Sequence, residues 1–485
     1  MMSLRRWIQL AGEHFSYRRG SNGTSPRSVA AGEGASSHKE SGATTAAEAT
    51  YFEQRGMPRI NHAPFSDRRT DIQPGSAIVS EPMRCPERLL LTFKETRDLE
   101  AALALEIGDG EDRPLISERR KFVSVSVGER DPADMVTRLS ALARQYQGTL
   151  LPDFRYDLEP GLTFDSLDRG PDDPDNPSME DVLARIKAPE AWSKTRGQDV
   201  VIAVVDTGID GSRPEFPVEK RAGGFAPDDP QGDAWVDWQG HGTMCAAIAA
   251  GSRALGGAFD GVAPQAKIFS CKTKFFSSEL VLVYDLLGEM AKTGTTVIAT
   301  NSFGMRAGIP PAEDDELLSA ALTDAIADGV HVFFSAGNNH VLAGGQPNQC
   351  QPNSIWRHKS RHDVFVVATC DLEGRIWDYS SRGPGQFFGD PGTGQKPDVT
   401  APTPRNGRIL YGNRIQVFRN GWGTSGACPQ AAGLAALLLS VRPDLPRQQL
   451  FDIIRDSASP LGHSPLCEGA GLLNCDAALG RLPVG

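Results

Sequence analysis

The chain of 485 residues has no basic excess, since 50 Lys and Arg stand against 61 Asp and Glu for a formal net charge of −11. Nucleic acid and anionic membrane surfaces select basic faces, so neither is expected as a partner. Cysteine is scarce too: eight residues (Cys85, Cys245, Cys271, Cys350, Cys370, Cys428, Cys467, Cys475) without a C-x-x-C pair are too few for a disulfide scaffold and do not suggest zinc. Buried thiols are favoured over bridges, for which Cys350 with Cys370, or Cys467 with Cys475, are the candidates in an oxidising compartment. No apolar run reads as long enough to span a membrane. The start, "MMSLRRWIQLAG", lacks the unbroken apolar stretch of a signal peptide, which leads to the expectation of a cytoplasmic or unconventionally exported protein. What the chain does have is 39% apolar residues, enough at this length for two or three domains and a substantial core.

Texture divides the sequence. Residues 1–84 are rich in Gly, Ser, Ala, Thr and charge, which predicts a disordered arm. Over 85–158 short elements follow: "RLLLTF" reads as a strand, "DLEAALALEIG" as a helix and "FVSVSVG" as a strand. "DPADMVTRLSALARQY" reads as a helix capped by Asp131 and "TLLPDF" as a strand, which together make a small α+β unit. Residues 159–179, rich in Pro, Asp and Gly, form a linker. From 180 to 482 near-continuous Val/Ile/Phe runs such as "DVVIAVVD", "KIFSC", "TVIATNS", "VHVFFSAGN" and "VFVVATC" read as strands buried on both faces of a parallel sheet. Helical stretches such as "DDELLSAALTDAIADG" and "QAAGLAALLLSVRP" separate some of them. The fold class is α/β, a doubly wound and mostly parallel sheet, preceded by a small α+β unit.

In such sheets the working residues gather beyond the carboxyl ends of the strands. Asp206 ends "DVVIAVVD", Ser302 and Gly304 follow "TVIAT", and Asn338 follows "VHVFFSAG". Of nine histidines, His14, His38 and His62 fall in the arm, His331 begins a strand, His463 lies near the end, and His340, His358 and His362 lie in a polar loop region. Only His241 sits between glycines at a helix start, "QGHGTMCAAIAAG". Ser425, in "NGWGTSGACPQAAGLAALLLS", precedes a long apolar helix with Pro429 read as part of its first turn. A serine there can simply cap the helix. An available base and acid give it a second role, because a hydroxyl is a weak nucleophile until an imidazole takes its proton and a carboxylate fixes that imidazole's tautomer. Asp206, His241 and Ser425 supply one of each. The Ser425 N–H and the Asn338 amide can serve as donors to an oxyanion.

Taken together and in order, "VVDTGID", "HGTMCAAIAA", "NSFG", "SAGN", "SSRGP", "KPDVTAP" and "GTSGACP" resemble the subtilisin-like serine peptidases, or subtilases. The resemblance implies a serine endopeptidase with Asp206, His241 and Ser425 as triad and with Asn338 and Ser425 as oxyanion donors. Protein or peptide substrates would pair with Ser302, Phe303 and Gly304. It implies a zymogen, the 85–158 unit acting as an intramolecular inhibitory pro-domain, with "LARIKAPEAWSKTRGQ" opening the mature part. No cofactor is required by it. A subtilisin-type calcium site would use Glu215, although "GSRALGGAFDG" does not repeat the family's ligand pattern; a metal in the catalytic site is not expected, and the enzyme is expected to be a monomer.

The helix after Ser425 departs from the family in Gly426, Ala427, Cys428, Pro429, Gln430 and Ala431. Cys428 there suggests sensitivity to thiol reagents, while Cys245 reads as core. Phe303 and Met305 suggest a roomy apolar pocket and a preference for non-basic residues before the cut.

Two alternatives fit the sequence less well. An α/β-hydrolase needs Gly-x-Ser-x-Gly directly after a strand; here Gly423-Thr424-Ser425-Gly426-Ala427 is separated from the strand-like "RIQVF" by "RNGWG". A catalytically silent peptide-binding pseudopeptidase would be expected to lack a triad member or the oxyanion donor, and all four residues are present.

Overall fold

A computed structural model describes residues 87–103, 114–128, 130–158, 175–228, 232–304, 315–385 and 395–483. The expected arm at 1–84, most of the 159–179 linker and Met305 lie outside these residues. The small unit comprises β1 (Arg88–Thr92), α1 (Thr96–Leu103), β2 (Leu115–Ser117), β3 (Phe122–Ser126), α2 (Pro132–Gln145) and β4 (Thr149–Pro152). Its antiparallel sheet has the order β2-β3-β1-β4. Asp131 caps α2, its Oδ1 accepting from Ala133 N at 2.9 Å, with Pro132 pre-set for the first turn. The i, i+4 series Met135, Leu139 and Ala143 then faces the sheet, packing on Leu89, Leu91, Val123 and Val125. After β4 the chain runs on to β5 (Asp157–Leu158).

Two short helices, α3 (Met179–Arg185) and α4 (Ala188–Ala191), open the large part. It continues with β6 (Val201–Asp206), β7 (Arg221–Phe225), α5 (His241–Ala250), β8 (Lys267–Lys272), α6 (Ser277–Lys292), β9 (Val297–Asn301), β10 (Phe303–Gly304) and α7 (Glu316–Ala327). Next come β11 (His331–Ser335), β12 (Phe365–Cys370), β13 (Val399–Pro402), the hairpin β14 (Gly407–Tyr411) and β15 (Arg414–Phe418), α8 (Gly423–Val441) and α9 (Arg447–Ser457). Helices α10 (Pro465–Glu468) and α11 (Cys475–Gly480) complete it. The seven-stranded sheet has the order β13-β12-β11-β9-β6-β8-β7 with every pair parallel, which is the expected doubly wound α/β class. Winding starts at β6, goes out to β7 and β8, and resumes at β9 on the other side. The carboxyl ends of β6 and β9 therefore flank the switch point, where such sheets hold their ligands.

Several elements differ from the sequence reading. α8 is long and apolar enough to cross a membrane, contrary to that reading, but it is buried through Leu439 and packs on α5, β9, β11 and β12 as the central core helix. The region read as polar loop is interior: His340, His358, Arg357 and Ser360 are all buried, and burial beside Arg361 and Arg357 pushes the His358 imidazole down to about 3. Lys359 Nζ donates to Ser335 Oγ at 3.4 Å and Ser360 Oγ to Ile355 O at 3.0 Å, contacts that composition does not reveal. Cys350 is bonded to Cys467, matching neither candidate bridge, because spacing along the chain says nothing about which loops meet.

The small unit docks on α6 and α7, where Arg120 Nη2 lies 2.6 Å from Asp285 Oδ1 and 2.8 Å from Asp324 Oδ2. Its tail threads between two segments of the large part. Ser277 N donates to Phe154 O and Tyr156 N to Phe275 O, while β5 pairs antiparallel with β10, Leu158 opposite Phe303 and Asp157 opposite Gly304.

Candidate active site

Asp206 is the last residue of β6 and His241 the first of α5; each is 1% exposed. The imidazole Nδ1 lies 2.8 Å from Asp206 Oδ1 and 3.0 Å from Oδ2. Gly242 permits this approach, since a Cβ there would stand 2.1 Å from Gly208 O in the turn after Asp206. Asp237, four residues before His241, fixes the helix start. Its Oδ2 accepts from Thr243 N and Thr243 Oγ1 at 2.9 and 2.6 Å, and its Oδ1 accepts from Thr207 Oγ1 at 2.8 Å. The sequence reading passed over Asp237, although an acid just before a helix start is a capping signal.

Ser425 is the third residue of α8, so it lies inside the first turn and does not cap it; Trp422 holds the cap position. Its N–H is among those that an α-helix leaves without an internal acceptor. Pro429 falls in the second turn rather than the first, and its missing N–H deprives the Ser425 carbonyl of its helical donor. That carbonyl accepts from Ser302 Oγ at 3.1 Å instead, and Cys245 Sγ lies 3.7 Å from it and 3.8 Å from His241 Nδ1. The Ser425 helix, the His241 helix and the strand after β9 meet at this point. Ser425 Oγ is buried and makes no hydrogen bond among the described residues, so the hydroxyl is not closed onto the imidazole in this state. Such contacts commonly tighten only when substrate binds.

Asn338 follows β11, and its Oδ1 accepts from Thr424 N at 3.0 Å and Thr424 Oγ1 at 2.8 Å, while Thr424 Oγ1 accepts from Gly337 N at 3.1 Å. Holding the amide oxygen decides which way its donors face. Thr424 is a further residue the sequence reading did not single out. Gln430 ties α8 to the end of β13, donating to Pro402 O and Gly426 O at 2.8 and 2.9 Å.

Both nearby thiols are buried. Burial raises the Cys245 thiol well above its ordinary range, with the Asp206 charge adding to the effect, and raises Cys428 to about 11. Reagents attack the thiolate, so the expected sensitivity at Cys428 does not follow. Asp206, His241 and Cys245 place ligand-type atoms within 4.8 Å of one another, but a thiol held protonated is a poor metal ligand. Glu215, the residue expected to mark a calcium site, is 1% exposed and lies 3.3 Å from Arg213 Nε through Oε2, while its Oε1 accepts from Ala258 N at 2.9 Å. Calcium needs six to eight oxygens, and at Glu215 the cation is already a guanidinium, so this residue does not fit that role.

Residues 197–473 match the profile described as "Subtilase family". An intracellular serine protease of Paenibacillus polymyxa is 28% identical over 297 residues, 59% of this chain and 82% of that protein. A calcium-dependent protease of Trichormus variabilis is 30% identical over 317 residues; the match covers 59% of this chain and 46% of that protein, so the chain spans less than half of its length. The crystal structure of MycP1 with the N-terminal propeptide removed is similar at 24% identity with a TM-score of 0.49, covering 63% of this chain and 98% of that one. The family match and the intracellular serine protease relative define a serine endopeptidase acting on protein substrates. The chain belongs to the subtilase family.

Proposed function

We propose that Asp206, His241 and Ser425 form the catalytic triad of this peptidase and that the chain is made as a zymogen blocked by its own small unit. The observation that carries the reading is the buried Asp206–His241 pair at 2.8 Å, set beside the α8 start that bears Ser425. Asp206 fixes the imidazole with its proton on Nδ1, which leaves Nε2 as the base. Nε2 takes the proton of Ser425 Oγ as that oxygen attacks the scissile carbonyl. The oxyanion is met by the Ser425 N–H and the Asn338 side-chain amide. His241 then gives its proton to the departing amine, and water repeats the sequence on the acyl-enzyme. Extended substrate pairs with Ser302, Phe303 and Gly304 as an added strand, the place that Asp157 and Leu158 take in the intact chain. That self-pairing supports the zymogen reading.

A fluorophosphonate probe tests the triad. Labelling of the wild type that is lost in Ser425→Ala is expected; absence of labelling in folded protein freed of the small unit would sink it. Mass spectrometry of the native N-terminus tests the zymogen, for which loss of residues up to the region of the 159–179 linker is expected.

A further inference from the structure

The tail of the small unit places one large side chain in a recess of the large part. Tyr156 is 4% exposed, with its ring edge-on to Phe303 at 5.7 Å and tilted against His358 at 6.2 Å. Gly304, Phe334 and Trp356 line a cavity beside it, of which Tyr156 itself forms one wall. The far end of the recess is polar. The Tyr156 hydroxyl donates to Asp315 Oδ2 at 3.4 Å, and Asp315, the cap of α7, also accepts from Ser277 Oγ. Arg357 stands beside it, 6% exposed, with its guanidinium 4.8 Å from the Phe154 ring centroid and its Nε and Nη1 making no hydrogen bond among the described residues.

Direction places this recess relative to the chemistry. Because β5 runs antiparallel to β10, the chain from Tyr156 to Leu158 heads from Gly304 toward Ser302, whose hydroxyl holds the Ser425 carbonyl. A peptide taking this path puts the residue in the recess on the amino side of the bond presented to Ser425.

We propose that the Tyr156 recess is a specificity subsite for a tyrosine side chain of the substrate, with Phe303 and His358 holding the ring and Asp315 and Arg357 recognising the phenol hydroxyl. The proposal rests on the triad reading above and deepens it. A half-buried carboxyl and a buried guanidinium with unpaired N–H groups are costly when only an apolar ring enters. A tyrosine supplies one hydroxyl that can donate to the first and accept from the second. Sites built to bond a hydroxyl reject the analogue that lacks it.

The test uses protein purified as the full chain and carried through its own processing, with peptides varied at each position on the amino side of the cut. Tyr over Phe by about tenfold in kcat/KM at one such position is expected, one net hydrogen bond's worth of discrimination. Asp315→Asn and Arg357→Leu should each bring that ratio toward one; the isosteric Asp315→Asn keeps the test available where Arg357→Leu does not fold. In the intact chain, Tyr156→Phe should speed probe labelling of Ser425 several-fold, and much less so when Asp315→Asn is already present. Labelling and cleavage without tyrosine preference overturn the subsite alone, as does a preference that survives both variants. Absence of both labelling and cleavage overturns the triad reading and the subsite with it.

Discussion

Thr424 bonds the Asn338 carbonyl oxygen twice, once through its N–H and once through its hydroxyl, so the neighbour of Ser425 sets the orientation of the proposed oxyanion donor. Asn338→Leu is expected to lower kcat about 100- to 1,000-fold with little change in KM; this is the cost found on removing the oxyanion Asn of subtilisin, a member of the same family, and is taken from that case. Thr424→Val keeps the N–H bond and loses only the hydroxyl, so kcat should fall by roughly tenfold, the scale of one hydrogen bond, with recovery in Thr424→Ser. Steady-state kinetics on a single peptide decide both; a change confined to KM would remove Thr424 from its positioning role. At this scale the sequence was informative wherever a polar residue ends or closely follows an apolar run, as Asp206, Ser302 and Asn338 do. It was uninformative for Thr424, whose work is done by contacts with a residue 86 positions away.

Elements were legible where their pattern was strong. β6, β9, β11 and β12 are continuous apolar runs, and α2 carries both its cap and its i, i+4 face. β7 was missed because "RAGGF" has two glycines, and α6 because its apolar residues surround the helix instead of forming a stripe. The Cys350–Cys467 bond was out of reach for another reason: it joins segments 117 residues apart. That separation also sets its expected effect. A crosslink closing so long a loop removes much entropy from the unfolded chain, so Cys467→Ser paired with Cys350→Ser should cost about 2–4 kcal/mol of stability. Denaturant midpoints with and without reductant measure it: the wild type should lose stability on reduction and the double variant should not respond. An equal response of the two would place the effect elsewhere.

For the molecule as a whole, two compositional textures foretold a small α+β unit ahead of a larger α/β part, but not how the two meet. Their contact buries Asp153, which the small unit contributes. Its Oδ2 accepts from Ser124 Oγ at 2.5 Å and Ser278 Oγ at 2.6 Å, its Oδ1 accepts from Ser278 N at 3.1 Å, and Arg88 Nε lies 3.7 Å away. Burial nevertheless outweighs these partners and raises the carboxyl above its ordinary value. When the tail withdraws, Asp153 returns to water and to an ordinary pKa, so the docked state is the one that binds the extra proton. Docking is therefore strongest below the ordinary carboxylate pKa and weakens as pH rises through the raised one. The rate at which a fluorophosphonate labels Ser425 in the intact chain reports tail withdrawal, but His241 ionisation also moves that rate. Dividing the rate of the protein with Asp153 intact by that of Asp153→Asn at each pH, with Asp315→Asn carried in both, cancels the His241 contribution and removes that of Asp315, whose raised carboxyl feels the Asp153 charge. The ratio should climb with pH, because only the protein with Asp153 intact loses docking by ionising at this position. A flat ratio would mean that Asp153 holds the tail equally well in either protonation state.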